Sequence, residues 1–129
     1  MSFKADFSVA GKTYRVLKCT YAVHQDVDAT GRPSSEVRGG QIEVEVEATS
    51  DTSLANWAIA MYKVEDGKIT FYRRDNEQKM LELSFKQGYC VDYKAEFDFI
   101  GEIPMIEKIR ISAQEINIGS VGFSNEWPE

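Results

Sequence analysis

The residues with the best claim to chemistry lie between His24 and Glu47. Asp26-x-Asp28-x-Thr30-Gly31 has the opening of a calcium loop. Such a loop closes with a bidentate Glu at its twelfth position. Counted from Asp26 that position is Val37, and Glu36 stands one place early. Pro33 and the strand context also disagree with a helix–loop–helix, so an Asp- and Gly-rich turn is the plainer reading. His24 is the only histidine. A metal site would need suitably spaced Cys or carboxylate partners, and a Ser–His or Cys–His pair would have to use the same residue. It reads as a polar residue on a strand. Glu43, Glu45 and Glu47 share one strand face at about 6.5–7 Å intervals. Two carboxylates that close can do acid–base work inside a pocket. Three in a row without one read as a solvated face, able to line a wet channel or meet a partner. Cys19 shares its face with Leu17 and Tyr21 and reads as a small core hydrophobe. Cys90 falls on a polar face and is expected to be an exposed thiol. Arg38-Gly39-Gly40 is a single RGG, too little for RNA. Gly-rich phosphate loops are absent. The residues nominate no catalytic group, no metal site and no cofactor.

The elements that would carry these residues are mostly strands. The chain has 129 residues, enough for one domain (1–129) with a real core. Apolar residues make up 43%, within the globular range. The formal charge of −6 argues against nucleic acid and against an anionic membrane surface. No apolar run is long enough to span a bilayer, and Met1 to Asp6 has no apolar signal region. Two cysteines make no disulfide framework. A protein made in the cytoplasm is expected.

Phe3, Ala5, Phe7 and Val9 alternate with polar residues, which predicts a strand ended by a turn at Ala10-Gly11-Lys12. Tyr14 to Asp26 predicts a longer strand with a bulge near Val16, where the apolar phase moves. Asp26 to Gly40 reads as a long loop, with turn chemistry from Thr30 through Arg32 and Pro33 to Ser34 and Ser35. Gln41 to Thr49 is a strand. Further strands follow over Ile69–Arg73, Leu81–Phe85, Tyr89–Phe99 and Ile106–Ile118, the last with a phase switch that suggests another bulge. Gln87-Gly88 turns or kinks the chain. About seven strands and one helix imply an antiparallel barrel or sandwich, in the mainly β class.

The helix spans the stretch between Ser50–Ser53, which supply the N-cap, and Glu65-Asp66-Gly67, which supply the stop. Leu54, Trp57, Ala58 and Met61 form one stripe; Ala55, Ile59 and Tyr62 form a second beside it. The apolar arc is roughly 220°, about twice what covering one core requires. A domain this small has little material to bury a helix twice, so the second stripe is expected to meet a partner.

Thr30-Gly-Arg-Pro-Ser-Ser-Glu-Val-Arg-Gly-Gly-Gln-Ile42 resembles the signature loop of a branch of the Hcp family, the tube proteins (TssD) of type VI secretion systems. Ser2 to Tyr21, Leu54-Ala55-Asn56-Trp57, Tyr93 to Asp98, Glu107 to Ala113 and Asn125-Glu126-Trp127 are similar to the same branch. The resemblance covers essentially the whole chain. It implies an antiparallel β-barrel of two sheets with one flanking α-helix and no catalytic residues. It implies a homo-oligomer: a ring, usually a hexamer, that stacks into a hollow tube able to carry effectors inside a contractile sheath behind a spike. Such a protein leaves the cell through the type VI machine without a signal peptide. The loop, here Asp26 to Gly40 with Thr30, Gly31, Arg32, Pro33, Ser34, Ser35 and Arg38, is expected to reach toward neighbouring subunits or the adjacent ring. Ala55, Ile59 and Tyr62 are the other candidate contacts, and Glu43, Glu45 and Glu47 the candidate lumen or partner surface. The rival readings are a monomeric β-barrel that binds a small ligand or glycan and, least favoured, a small hydrolase using acidic residues.

Overall fold

Period-two alternation drives most of the chain into strands, and the computed structural model describes residues 4–24, 29–32, 38–60, 62–73, 79–98, 100, 105–119 and 121–124. In chain order the elements are β1 (Lys4–Val9), β2 (Lys12–His24), β3 (Arg38–Glu47), α1 (Ser53–Ile59), β4 (Val64–Tyr72), β5 (Lys79–Phe97), β6 (Met105–Ile118) and β7 (Val121–Ser124). Every pairing is antiparallel. The strand order is β3-β2-β1-β4-β5-β6-β7, and β3 also pairs with β6. That extra pairing closes six strands into a barrel and leaves β7 as a short hairpin arm on the far end of β6. β1 enters β2 through Ala10 (φ 53) and Gly11 (φ 76). Positive φ at both central residues suits a two-residue hairpin, because its twist matches that of the flanking strands.

The inward faces make one core. Phe7, Ile42, Val44, Val46, Ile69, Leu83, Phe85, Ile111 and Ile116 come from β1, β3, β4, β5 and β6, and all are essentially buried. Burying each such side chain contributes about 1.5–3 kcal/mol. α1 closes one side of the barrel with Leu54 and Trp57. The Trp57 ring stacks on Phe85 at 6.2 Å with an interplanar angle of 4°. Phe85 in turn needs two glycines. A Cβ at Gly67 would lie 2.7 Å from its ring, and one at Gly88 would lie 2.9 Å from the ring and from Ile111.

Several boundaries differ from the sequence expectation. β3 begins at Arg38, so Arg38-Gly39-Gly40 belongs to a strand, with Gly39 opposite Val23. The helix is short: it ends at Ile59, and Glu65-Asp66-Gly67 lies inside β4 rather than stopping a helix. Tyr62 sits beyond the helix in a left-handed backbone conformation (φ 61). Leu81–Phe85 and Tyr89–Phe97 are one strand, kinked at Gln87 (φ 51), whose N–H donates to Asp66. The bulge near Val16 is present, between Val16 and Lys18. The bulge expected in β6 is not. Register with β5 is continuous from Ile118 to Ile111, and the buried phase changes in both strands together around Gln87–Gly88 and Ala113–Ile116. A real bulge lies between Cys90 and Asp92. It turns Cys90 inward, to 9% exposure opposite Ile111, so the expected exposed thiol is a core residue. Leu17, expected inward, is 36% exposed at the β2 bulge.

Candidate functional site

Four strand segments form a wall that extends past the barrel's closed part. They are β2 from Val16 onward, β3, the first half of β6, and β5 from Asp92. Cys19 lies opposite Val44, Val44 opposite Ile109, and Ile109 opposite Tyr93. Val44, Val46, Ile109 and Ile111 turn one face into the core. Strict alternation then forces Glu43, Glu45 and Glu47 onto the other face. There Glu43 and Glu45 join Lys18, Asp92, Lys94, Lys108 and Arg110 around a groove of about 440 Å³, with Glu47 beyond it.

The acidic row is therefore interleaved with bases. Lys108 Nζ stands 3.1 Å from Glu96 and 3.7 Å from Glu45. Lys94 is 3.2 Å from Glu96, Lys18 is 4.0 Å from Glu45, Arg15 is 3.5 Å from Glu47, and Arg110 pairs with Asp92. Glu43 is in register with Arg110. Hydrogen bonds from Lys108 and then Lys94 hold the Glu96 carboxyl below its ordinary range, and Glu96 pushes Lys108 up. Exposed pairs of this kind contribute little one at a time, about 0–1 kcal/mol. Arginines and lysines match carboxylates on this face, although the chain as a whole carries −6. A face so neutralised is built to stay wet without drawing charge of one sign.

Both outer strands of the wall are open. Among the described residues, Lys18–His24 has β3 on one side and no strand on the other, since β1 pairs β2 only as far as Arg15. Asp92–Phe97 has β6 on one side only, since β4 starts at Val64, opposite Tyr89. Unpaired N–H and C=O groups along an edge are templates for another strand. Exposed apolar side chains accompany these edges: Phe97 is 70% exposed, with Met105 in register beside it and Leu17 at the start of the other edge.

The helix is pinned from both ends. Asp51 accepts hydrogen bonds from the Ser53 N–H (3.0 Å), the Ser53 hydroxyl (2.7 Å) and the Tyr14 hydroxyl (3.1 Å). The Ser53 hydroxyl is the chief reason its carboxyl sits below the usual range. The Trp57 indole N–H donates to the Lys63 and Gly88 carbonyls at 3.2 Å each. So held, α1 shows Ala55 half-buried and Ile59 83% exposed, and Tyr62 follows at 80%. The second stripe is real for Ala55 and Ile59; Tyr62 reaches the same end of the helix by its left-handed turn, not by helical spacing. Ala58, from the first stripe, packs on the core as expected, while Met61 lies outside the described residues.

Of the loop, Thr30, Gly31 and Arg32 form an exposed turn with Gly31 at φ 86. Pro33, Ser34 and Ser35 lie outside the described residues, as do Asp26, Asp28, Glu36 and Val37 of the calcium reading. The backbones of His24 and Arg38 pair with each other, and their side chains lie outside the described residues. Among the described residues no cluster of three His, Cys, Asp or Glu is placed to hold a metal. Among the same residues no helix is long and apolar enough to cross a membrane. Burial pushes both the Cys19 and Cys90 thiols up to about 11, which disfavours their thiolate forms near neutrality.

One residue was missed in the sequence. Glu107 is 4% exposed, accepts the Tyr93 hydroxyl at 2.5 Å, and has no partner for Oε1 among the described residues. Burial first, and then this carboxylate, push Tyr93 up to about 12. The signal was present: Glu107 has the parity of Ile109, Ile111 and Ala113, so alternation alone places it inward.

A family model described as Hemolysin coregulated protein Hcp (TssD) matches residues 1–128. Among solved structures, Hcp1 of Flavobacterium johnsoniae superposes with a TM-score of 0.90 at 41% identity, covering 95% of this chain and 100% of that one. Hcp1 of Salmonella typhimurium superposes with a TM-score of 0.78 at 14% identity, covering 96% and 95%. A chain of the PVC sheath-tube complex, an extracellular contractile injection system in its extended state, shares the fold with a TM-score of 0.61 at 14% identity, covering 94% and 91%. No curated protein sequence matches the chain.

Proposed function

The chain belongs to the hemolysin coregulated protein (Hcp, TssD) family, and from that premise we propose that it is a structural subunit of the inner tube of a type VI secretion system. Copies close into a hexameric ring, and rings stack into a hollow tube that carries effectors inside a contractile sheath. The protein is made in the cytoplasm, leaves with the type VI machine, and catalyses nothing.

One observation carries this reading: the four-stranded wall with an open strand at each end. Its strands alternate in direction, β2, β3, β6, β5. Four is even, so β5 of one copy and β2 of the next also run antiparallel. A ring of any number of copies can therefore continue one antiparallel sheet with no mismatched junction. That contact is heterologous, and heterologous contacts make rings when the rotation closes. The wall's inner face is occupied by the barrel core, which leaves Glu43, Glu45, Glu47 and their basic partners to line the lumen. A charge-balanced wet lining suits passage of folded cargo of either charge. Ile59, Ala55 and Tyr62 offer a second, apolar contact, and the segment Thr30 to Ser35 with Arg38 reaches toward neighbouring subunits or the adjacent ring.

The test is solution mass by light scattering on a sizing column, with negative-stain images of the peak. A ring of six weighs about 88 kDa, six times the 14.6 kDa chain, and shows an open centre. A monomer at every concentration would instead favour a ligand-binding barrel. The packed interior described above offers that rival only the outer groove.

A further inference from the structure

We infer the register in which two copies join: β5 of one copy pairs with β2 of the next so that Tyr93 lies opposite Tyr21, Ala95 opposite Cys19, and Phe97 opposite Leu17. This rests on the ring reading and adds which side chains meet. Only registers that keep lumen-facing residues together are allowed, because a one-residue slip sends every side chain to the wrong face. On β5 the groove face is Asp92, Lys94 and Glu96; on β2 it is Lys18 and Thr20. The core-side face is Tyr93, Ala95 and Phe97 against Cys19 and Tyr21, with Leu17 at the β2 bulge.

Allowed registers therefore step by two residues, and the side chains choose among them. Shifting by one step in one direction sets Lys94 directly opposite Lys18, a like-charge pair on neighbouring strands. Shifting one step the other way pairs Phe97 with Cys19 and sets Lys18 opposite Asp98, which lies past the end of β5, so that Lys18 and Leu17 both face positions beyond the last residue of the strand. The inferred register sets Glu96 opposite Lys18, whose ammonium is only 4.0 Å from its intrachain partner Glu45 and remains largely exposed. It also brings together the exposed large hydrophobics at the ends of the two edges, Phe97 and Leu17. Small Ala95 over Cys19 leaves room for Tyr93 and Tyr21 to lie side by side. Opposite charges and apolar pairs are each favourable across neighbouring strands.

Cys19 makes the register directly readable. Directly opposed residues on antiparallel strands have Cα atoms about 4.5–5.5 Å apart, within disulfide range. Ala95→Cys, oxidised with copper phenanthroline in purified rings, should give a covalent ladder on a non-reducing gel. Phe97→Cys and Tyr93→Cys should give little, and Cys19→Ser should abolish the ladder. Stronger cross-linking from Phe97→Cys or Tyr93→Cys than from Ala95→Cys overturns the register. Rings that form but cross-link at none of the three positions overturn strand pairing altogether, while the ring reading survives. Absence of rings from the unmodified chain overturns both. A second measurement needs no core-side change: Lys18→Glu and Glu96→Lys should each raise the concentration at which rings dissociate by about two- to fivefold, and the double swap should restore it. A double swap no better than the worse single overturns the pairing.

Discussion

Tyr14 and Tyr93 are phenols with a carboxylate at the hydroxyl. Burial first, and then Asp51 and Glu107 respectively, push each from its ordinary value near 10 up to about 12. Above pH 10 the unfolded chain releases protons that the folded chain still holds. Unfolding is then favoured as pH rises, and this contribution to stability is lost progressively between 10 and 12. Thermal melts followed by circular dichroism should show that loss, and Tyr14→Phe with Tyr93→Phe should flatten it. Gly88 makes a different demand, for space. Gly88→Ala places a methyl against Phe85 and Ile111 and is expected to cost about 1–3 kcal/mol in urea unfolding. An unchanged midpoint would mean the Phe85 ring yields freely.

At the scale of elements, α1 and the bulges decide what is shown to a partner. α1 uses Leu54 and Trp57 inward and leaves Ile59 out. Ile59→Glu should keep the fold, with a melting point within a few degrees of the parent, and weaken assembly about tenfold if this patch is central to a contact. Light scattering of folded protein measures it; a variant that unfolds would place Ile59 in the core instead. The bulge at Val91 shows why alternation misled over β5. The run Tyr89 to Phe97 alternates without a break in the sequence, but the extra residue reverses the phase between Cys90 and Asp92. No side-chain pattern reports a bulge whose residues on both sides are of the right kind.

At the scale of the whole molecule, two functions share the same strands: the closed barrel supplies the core, and the stretch of wall beyond it supplies open edges among the described residues. The Thr30 turn stands apart from the core, since Thr30, Gly31 and Arg32 are exposed. Deleting Thr30 to Ser35 should leave the number of subunits per ring unchanged and shorten or abolish tubes in electron micrographs. Tubes of parental length would remove this turn from stacking.

The sequence alone determined the class, the single helix, the candidate core and the family. Alternating runs can be satisfied only by half-buried strands, and the Trp57 stripe only by a helix laid on them. It also named Glu43, Glu45 and Glu47 as one face, because that follows from the strand period. Tertiary structure decided what lies across from them. Lys18 comes from β2, and Lys108 and Arg110 from β6, far along the chain; which of them meets a carboxylate depends on strand register rather than on local pattern. It decided that Cys90 is inside and Leu17 outside, because bulges invert alternation. It decided that, among the described residues, β2 and β5 end the wall unpaired, because an edge is defined by the strand that is not beside it, and pairing between distant segments is not written in either one.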